Sequence, residues 1–585
     1  MFSPTWQLSP RCHEVDVDLE IRVPLSDGNR LAGMLFRPRT DEPVPAILGF
    51  HPYSNEYQIA PVMPIGFGLQ RGWMESGDPR FFARRGYAHA TFNVRGTGKS
   101  TGNFLFNGRR EIDDLAETVE WVAAQPWCDG NVGVAGVSYL AREAAHVAMR
   151  EPPSLKAIFA PFATTDLYRD YIYHGGILAY RFVAGWKEKL DGLRYESIYR
   201  EVHGEDAYRT ALDAALADEE LSAVPVLVQA LRSPIGANAF LADVLLERFN
   251  DDFFAERAVP YDHTSVPAYL GACWGVYGLH LNGAFRGYER WEGPKKLLIG
   301  PPRYLDRPVY QLQYEQLRWF DHWLKGNDTG FMEEDPIRLF VPGRESWRTA
   351  QVWPLPETHW TPFYLHEDGL LSEHELWDFD HASGFEDSPF RRGEVVFKTP
   401  RFVEQTEMIG SSLLDLYIST TDTDCLIFVT IFVESPDGAE DEVSRGWLRL
   451  TQRATDPARS RPWQPFREHR RRDPVVPNEV YQVAIEVAPF GRLVNPGERV
   501  GLRIKAADDE PAPDALRGTA YGHIARESAS RVTIHHSDVH PSSLSLPITA
   551  GNYLETYISG GVIDNTTEPL AIARIPRLKS DPPGA

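Results

Sequence analysis

The residues Gly133-Val134-Ala135-Gly136-Val137-Ser138-Tyr139-Leu140-Ala141 carry a short buried-strand pattern straight into a helix-like run, with a serine at the junction. So tight a turn holds the hydroxyl out at the carboxyl edge of a sheet, beside a helix N-terminus where negative charge is favoured. The chemistry this suits is nucleophilic attack on an acyl carbon. That requires a base to take the Oγ proton and an acid to orient the base. The general G-x-S-x-G pattern has a small residue two after the serine, whereas here Leu140 stands there and Ala141 follows. Glycine before serine recurs by chance, and a serine capping an ordinary helix reads the same way; the strand–turn–helix context is what raises Ser138 above these. A second piece is Phe50-His51-Pro52-Tyr53, after the apolar run 44–50. Tyr53 there can donate its phenol proton to an oxyanion, beside the backbone N–H of Tyr139. By themselves, Tyr53 reads as a packed loop aromatic and His51 as a satisfied loop histidine.

The surrounding elements are those that would position such a serine. Residues 15–25 alternate as a half-exposed strand, and a turn at Asp27-Gly28-Asn29 leads into a second strand. The runs 44–50, 86–93 and 131–135 are short and continuously apolar, as buried parallel strands are. Residues 111–125 and 139–149 read as helices, the first with acids early. Strand and helix in alternation predict a parallel sheet covered on both faces. From about 165 to 262 the pattern becomes helical, and 266–274 and 296–300 restore the strand rhythm, so an inserted helical cap is expected. An amphipathic helix over 311–325 ends at Gly326. Beyond 350, the alternating runs 362–365, 394–398, 412–418, 425–433, 480–487, 499–505 and 530–535 predict a β-sandwich. The expected fold class is α/β: a first part over 1–164, a helical cap over 165–262, a second α/β part over 263–350, and an all-β sandwich over 351–585. No internal repeat is found.

Composition narrows the partners. A chain of 585 residues exceeds what one core serves. A net charge of −22 argues against nucleic acid, since phosphate binding needs clustered cations. Arg470, Arg471 and Arg472 form the one cationic run, and it reads as a solvated loop. No run of eighteen apolar residues exists, so no membrane span is expected, and the first twenty residues contain no apolar signal segment. Cys12, Cys128, Cys273 and Cys425 are scattered without metal-ligand spacing, as in a reducing compartment, so the expected location is cytoplasmic. No cofactor and no metal are expected.

The chain resembles the family of cocaine-esterase-like hydrolases and X-Pro dipeptidyl peptidases of the α/β-hydrolase class. The resemblance runs in order through His51-Pro52-Tyr53, ARRGYAHATFNVRGTGKSTG (83–102), EWVAAQPWCDGNVGVAGVSYLA (120–141), DLYRDYIYHGGI (166–177) and FDHWLKG (320–326). It continues through RGWLRLTQRATDP and LVNPGERVGLRI in the C-terminal part. It implies an α/β-hydrolase domain with an inserted helical cap and a C-terminal jelly-roll sandwich. It also implies Ser138 as nucleophile, with Tyr53 and the Tyr139 N–H as oxyanion hole. The substrate would be a small-molecule or short-peptide ester or amide. Self-association follows by analogy only.

The same resemblance exposes a gap. The family acid follows a tryptophan by two positions, and in Ala272-Cys273-Trp274-Gly275-Val276 that place holds Val276. The family base is a histidine on the loop after the next strand. In KKLLIGPPRYLDRP the matching place holds Tyr304, or Gly300 in another register, and no histidine lies between 281 and 321. Loss of the histidine alone costs a serine protease roughly a millionfold, about 8 kcal/mol of barrier. An ordinary esterase mechanism therefore lacks support in the sequence. The remaining candidates are His280, just after the lost acid and more simply read as bonded to loop backbone, and His174, at the entry to the cap. Tyr304 and Asp306 sit on the loop that normally carries the base. His322 reads as structural.

Three readings stay open. Ser138 acts covalently with an unconventional base such as His280 or His174. Alternatively, the pocket and oxyanion hole serve a non-hydrolytic lyase, cyclase or isomerase of a specialised metabolite, or the fold is kept without catalysis. The persistence of Ser138 and Tyr53 favours the first.

Overall fold

In the computed structural model, residues 6–59, 62–65, 68–71, 73–261, 263–302, 308–375, 380–508 and 522–551 are described. A ten-stranded sheet forms the first half of the molecule. Its strands are β1 (Val15–Pro24), β2 (Arg30–Pro38), β3 (Val44–His51), β4 (Ala88–Asn93), β5 (Cys128–Ala135) and β6 (Leu155–Pro161). After a long helical excursion come β7 (Ala268–Cys273), β8 (Lys295–Gly300), β9 (Ile337–Val341) and β10 (Ser346–Ala350). The spatial order is β1-β2-β4-β3-β5-β6-β7-β8-β9-β10, parallel from β4 through β9 and antiparallel at both edges.

The central strands are apolar throughout because both faces are covered. Ala46, Leu48 and Phe50 of β3 pack into the larger core, against Leu140, Ala144 and Val147 of α2 (Tyr139–Ala148). Ile47 points the other way, into a second core with Trp319 and Phe320. These belong to the long helix Pro308–Lys325. Helix α1 (Arg109–Ala123) joins α2 on the first face through Ile112, Leu115, Val119 and Val122.

Between β6 and β7 the chain forms seven α-helices among its described residues, from Tyr180–Trp186 to Asp252–Arg257. They share the first core through Phe240, Leu241 and Leu245. The second half is antiparallel throughout its named strands. Its spine, the strand Thr406–Thr420, pairs with Tyr481–Val494 on one side and with Ser530–His536 and Ser543–Ala550 on the other. A register shift between Gly410 and Ser412 lets it turn from one layer to the next. Leu416, Ile418, Val429, Ile431, Ile485 and Leu502 fill the space between the layers. The expected α/β-hydrolase architecture with an all-β jelly-roll-type sandwich is what the chain adopts.

The two halves are locked together by charge. Arg449 of the sandwich donates to both carboxylate oxygens of Glu220 at 2.8 Å and to Asp424 at 2.6 Å, and Arg526 adds a contact to Glu220 at 2.9 Å. Glu220 lies in the helical insertion, so this buried network fastens the cap to the sandwich.

Candidate active site

Ser138 occupies the turn between β5 and α2 with φ 60° and ψ −115°. A non-glycine residue there is strained by about 1–3 kcal/mol and persists only where its surroundings fix it. Gly136 is what allows the turn, since a Cβ at that position would lie 2.0 Å from the Cβ of Leu140. Leu140, out of place in the general motif, is accommodated by a second glycine: a Cβ on Gly49 would come 3.3 Å from its Cδ2. Tyr139 is the first residue of α2, so its N–H belongs to the helix's first turn, where no intrahelical carbonyl pairs it. Its phenol turns away and donates to Glu111 at 2.6 Å.

His280 meets the serine. Its Nε2 is 3.1 Å from the Ser138 Oγ. The imidazole arrives on the loop after β7, one strand earlier than the position the resemblance assigns to the base. Local packing explains how. A short 3-10 turn (Trp274–Val276) follows β7, and the His280 N–H is held at 3.0 Å by the Val276 carbonyl. Helix α3 (Leu281–Arg290) then begins, with His280 as its N-cap. Gly283 lets α3 press against the chain leaving β6, where a Cβ would sit 2.7 Å from the Ala163 carbonyl oxygen. That close approach places the helix start over Ser138. The plainer reading of His280, a histidine occupied by loop backbone, is thus corrected: its ring faces the nucleophile.

The other side of the ring is bare. Nδ1 of His280 is buried and has no hydrogen-bond partner among the described residues, and Phe162 packs edge-on at 5.7 Å. Val276, at the acid's place, is buried and apolar. Burial, with help from the nearby Arg142 cation, pushes the imidazole pKa down to about 3. The tautomer that can accept the serine proton carries its own hydrogen on Nδ1. Leaving that N–H buried and unpaired costs about 1–3 kcal/mol. The other tautomer, Nε2–H donating to Oγ, leaves the Nδ1 lone pair equally unpaired, so no partner among the described residues fixes the proton-accepting form.

Tyr53 lines the same pocket, buried, with the Trp186 indole N–H donating to its oxygen at 2.9 Å. Burial, then the charge of Glu75, drives its pKa well up, so the phenol keeps its proton. A protonated Tyr53 and the Tyr139 N–H can together stabilise an oxyanion. Arg142, one turn after Ser138 on α2, also lines the pocket, with its ring-stacked guanidinium over Tyr139 at 5.0 Å. Neither Arg142 nor Trp186 stood out in the sequence, although the four-residue spacing from Ser138 to Arg142 places both on one helix face. The free volume beside Ser138 is only ≈ 20 Å³, about one water.

The other candidates are elsewhere. His174 does not reach Ser138; its Nδ1 is 2.7 Å from the Nε2 of His523, which in turn bonds Asp508 at 2.7 Å. His51 is buried and stacks on Tyr53, its pKa pushed down to about 3 by burial. His322 packs edge-on against Trp323. Tyr304 and Asp306 lie outside the described residues. Among the described residues no group of three or more His, Cys, Asp or Glu is placed to hold a metal, and no helix is long and apolar enough to cross a membrane.

Comparison with known proteins bears on the family and the fold. Residues 27–305 match the X-Pro dipeptidyl-peptidase (S15) family, and residues 329–545 match the X-Pro dipeptidyl-peptidase C-terminal non-catalytic domain. The chain is 26% identical to the cocaine esterase of Rhodococcus sp., over 90% of this chain and 98% of that protein. It is 21% identical to a putative Xaa-Pro dipeptidyl-peptidase of Bacillus anthracis, over 82% and 80% of the two chains. A solved CocE/NonD family hydrolase from Staphylococcus aureus superposes with a TM-score of 0.73 at 25% identity, covering 91% of this chain and 93% of that one. The chain is a member of the X-Pro dipeptidyl-peptidase and cocaine esterase family of α/β-hydrolases.

Proposed function

We propose that the protein is a serine acyl hydrolase in which Ser138 attacks an ester or amide and His280 is the base. The 3.1 Å approach of Nε2 to Oγ carries this reading. In the attack, the Oγ proton passes to Nε2 as the serine oxygen bonds to the acyl carbon. The carbonyl electrons move onto oxygen, where the Tyr53 hydroxyl and the Tyr139 N–H receive the charge. The proton on Nε2 then leaves with the alcohol or amine, and water repeats the sequence to release the acid. With no acid among the described residues holding the Nδ1–H tautomer, the reaction runs slowly: loss of the orienting carboxylate lowers a serine protease by about 10⁴. The substrate is a small molecule or short peptide, as the names of the relatives suggest, and the cap helix Tyr180–Trp186 gives way to admit it.

Two observations favour one other reading: the bare Nδ1 and the ≈ 20 Å³ beside Ser138 suit a pocket that is not an acyl-transfer site. It would then serve a non-hydrolytic lyase, cyclase or isomerase, or no reaction at all. A fluorophosphonate separates the readings. Labelling at Ser138 that disappears in Ser138→Ala and drops in His280→Asn supports acyl transfer. No labelling of the wild type over hours, with full turnover retained by Ser138→Ala, removes it.

A further inference from the structure

A cavity much larger than the one beside Ser138 lies elsewhere among the described residues. It measures ≈ 370 Å³ and lies between the α/β half and the sandwich. Helix α3 supplies one wall, with Asn282, Arg286, Glu289 and Arg290, on the turns that follow His280. The opposite wall comes from the sandwich strands Glu440–Arg449 and Tyr481–Val494 and from the loop between them.

Its lining is strongly cationic, with seven arginines against two carboxylates, Glu289 and Glu486. Four of the guanidiniums are neutralised locally. Arg169 pairs with Asp166 at 2.6 Å, Arg286 with Asp170, Arg445 with Glu442 at 2.8 Å, and Arg461 with Glu289 at 2.8 Å. The other three, Arg290, Arg459 and Arg467, have no carboxylate within 4 Å among the described residues. Arg290 and Arg459 are exposed at the mouth, while Arg467 is 6% exposed and part of the floor.

Arg467 and Arg459 are the telling residues. Arg467 spends one nitrogen on the Ala484 carbonyl, but its buried Nε has no partner, and burial pushes its pKa down to about 10. Glu486 is the one carboxylate among the described residues whose charge favours it, and it stands beyond pairing distance, so the buried guanidinium is only partly compensated, which is costly. The indole Nε1 of Trp447, 8% exposed and also lining the cavity, is likewise buried without a partner among the described residues. Arg459 shares the ring of Phe466 with Arg169, at 3.7 and 4.3 Å, so two cations are held about one aromatic ring. Like charges held so closely, around unspent donors in a roomy cavity, call for an anion.

We propose that this interdomain cavity binds a small, multiply charged oxyanion, a polycarboxylate or a phosphate ester, through Arg290, Arg459, Arg467 and the Trp447 N–H. The oxygens accept from the guanidinium forks while the anion supplies the missing negative charge. Such an anion reaches the site either as the remote acidic part of the substrate or as a separate ligand. The site itself does not depend on acyl chemistry at Ser138.

Titration calorimetry of the full chain with citrate and with pyrophosphate, at ionic strength fixed with chloride, tests this. Saturable one-site binding is expected, weakened about tenfold or more in Arg459→Ala and in Arg467→Gln, and unchanged in Ser138→Ala. Because Arg467→Gln alters a buried floor residue, the exposed pair Arg290→Ala and Arg459→Ala gives the same reading without threatening the fold. If citrate also raises the KM of an ester substrate, the anion mimics part of the substrate; if KM is unmoved, it is a separate ligand. Absence of heat beyond the chloride control, or equal binding by the wild type and the Arg290/Arg459 double variant, overturns the proposal.

Discussion

The Nε2 of His280 stands 3.1 Å from the Oγ of Ser138, although 142 positions separate the two residues. The imidazole comes from the loop after β7, which in the family resemblance carries the acid, while the acid's own place is Val276. On the proposed reading, nucleophile and base form a dyad whose far side is apolar among the described residues. That one relationship sets the kinetic behaviour expected of the protein.

If Ser138 and His280 act as a unit, their losses do not add. Ser138→Ala and His280→Asn should each remove most of the acyl-transfer rate, and the double variant should be no worse than either. A conventional triad loses roughly a millionfold this way, and a dyad with an unfixed tautomer starts lower and loses less. Single-turnover rates with an activated ester give the answer. Additive losses would show that the two side chains act separately.

The pH profile should carry the mark of burial. An unperturbed histidine titrates near 6.5, whereas His280 is pushed down to about 3 by desolvation and by Arg142. The ring is therefore already neutral through the mildly acidic range. The acidic limb of kcat/KM, which reports the free enzyme, should lie below pH 5. A limb between pH 6 and 7 would mean that the ring is solvated when the enzyme works.

Tyr53→Phe tests the oxyanion donor. Removing one such donor costs about 10²–10³ in kcat, and the Trp186 N–H, which donates to the same oxygen, loses its acceptor in the variant. The expected change is a fall in kcat with KM nearly constant, since the bond strengthens only as charge develops. A change confined to KM would assign Tyr53 to substrate packing.

Much of this was legible in the residues, and the exceptions have physical causes. The runs 44–50, 131–135 and 296–300 announced central strands because such strands are apolar on both faces, and β3, β5 and β8 lie there. The strand Glu440–Arg449 was not legible: it opens with exposed and half-buried Glu-Asp-Glu and gains its buried face only from Ser444 onward. Val134, Gly136 and Ser138 gave the elbow, since its geometry is local. The partner of Ser138 was not readable in the same way. Whether His280 bonds its own loop or the serine depends on how closely α3 packs on the chain after β6, and Gly283 decides that through a contact with Ala163, 120 residues earlier in sequence order. Arg142 was open to helical spacing but carried no motif.

Beneath Ser138, α1 and α2 each bury one acid, Glu111 and Glu143, whose ionisation opposes folding. Glu143 is fully buried with neither carboxylate oxygen bonded, and burial, followed by the charge of Glu111, drives its pKa well above the usual carboxylate range. Burial likewise raises Glu111 to about 7. For an acid whose folded pKa exceeds its unfolded value, the stabilising contribution is complete below the unfolded pKa, near 4.5, and is lost as pH rises through the folded one. Stability should accordingly fall from about pH 4.5 upward, through about pH 7 for Glu111 and further for Glu143. Glu143→Gln keeps the shape, removes that proton and relieves Glu111 of its neighbour's charge. Its stability should be close to wild type at pH 4 and greater at pH 8.5, with the slope above pH 4.5 reduced by on the order of 1 kcal/mol per pH unit over the window in which the pair titrates. Urea unfolding at a series of pH values measures the slope directly. Parallel curves for the two proteins would mean that Glu143 is already charged and paired in the folded state.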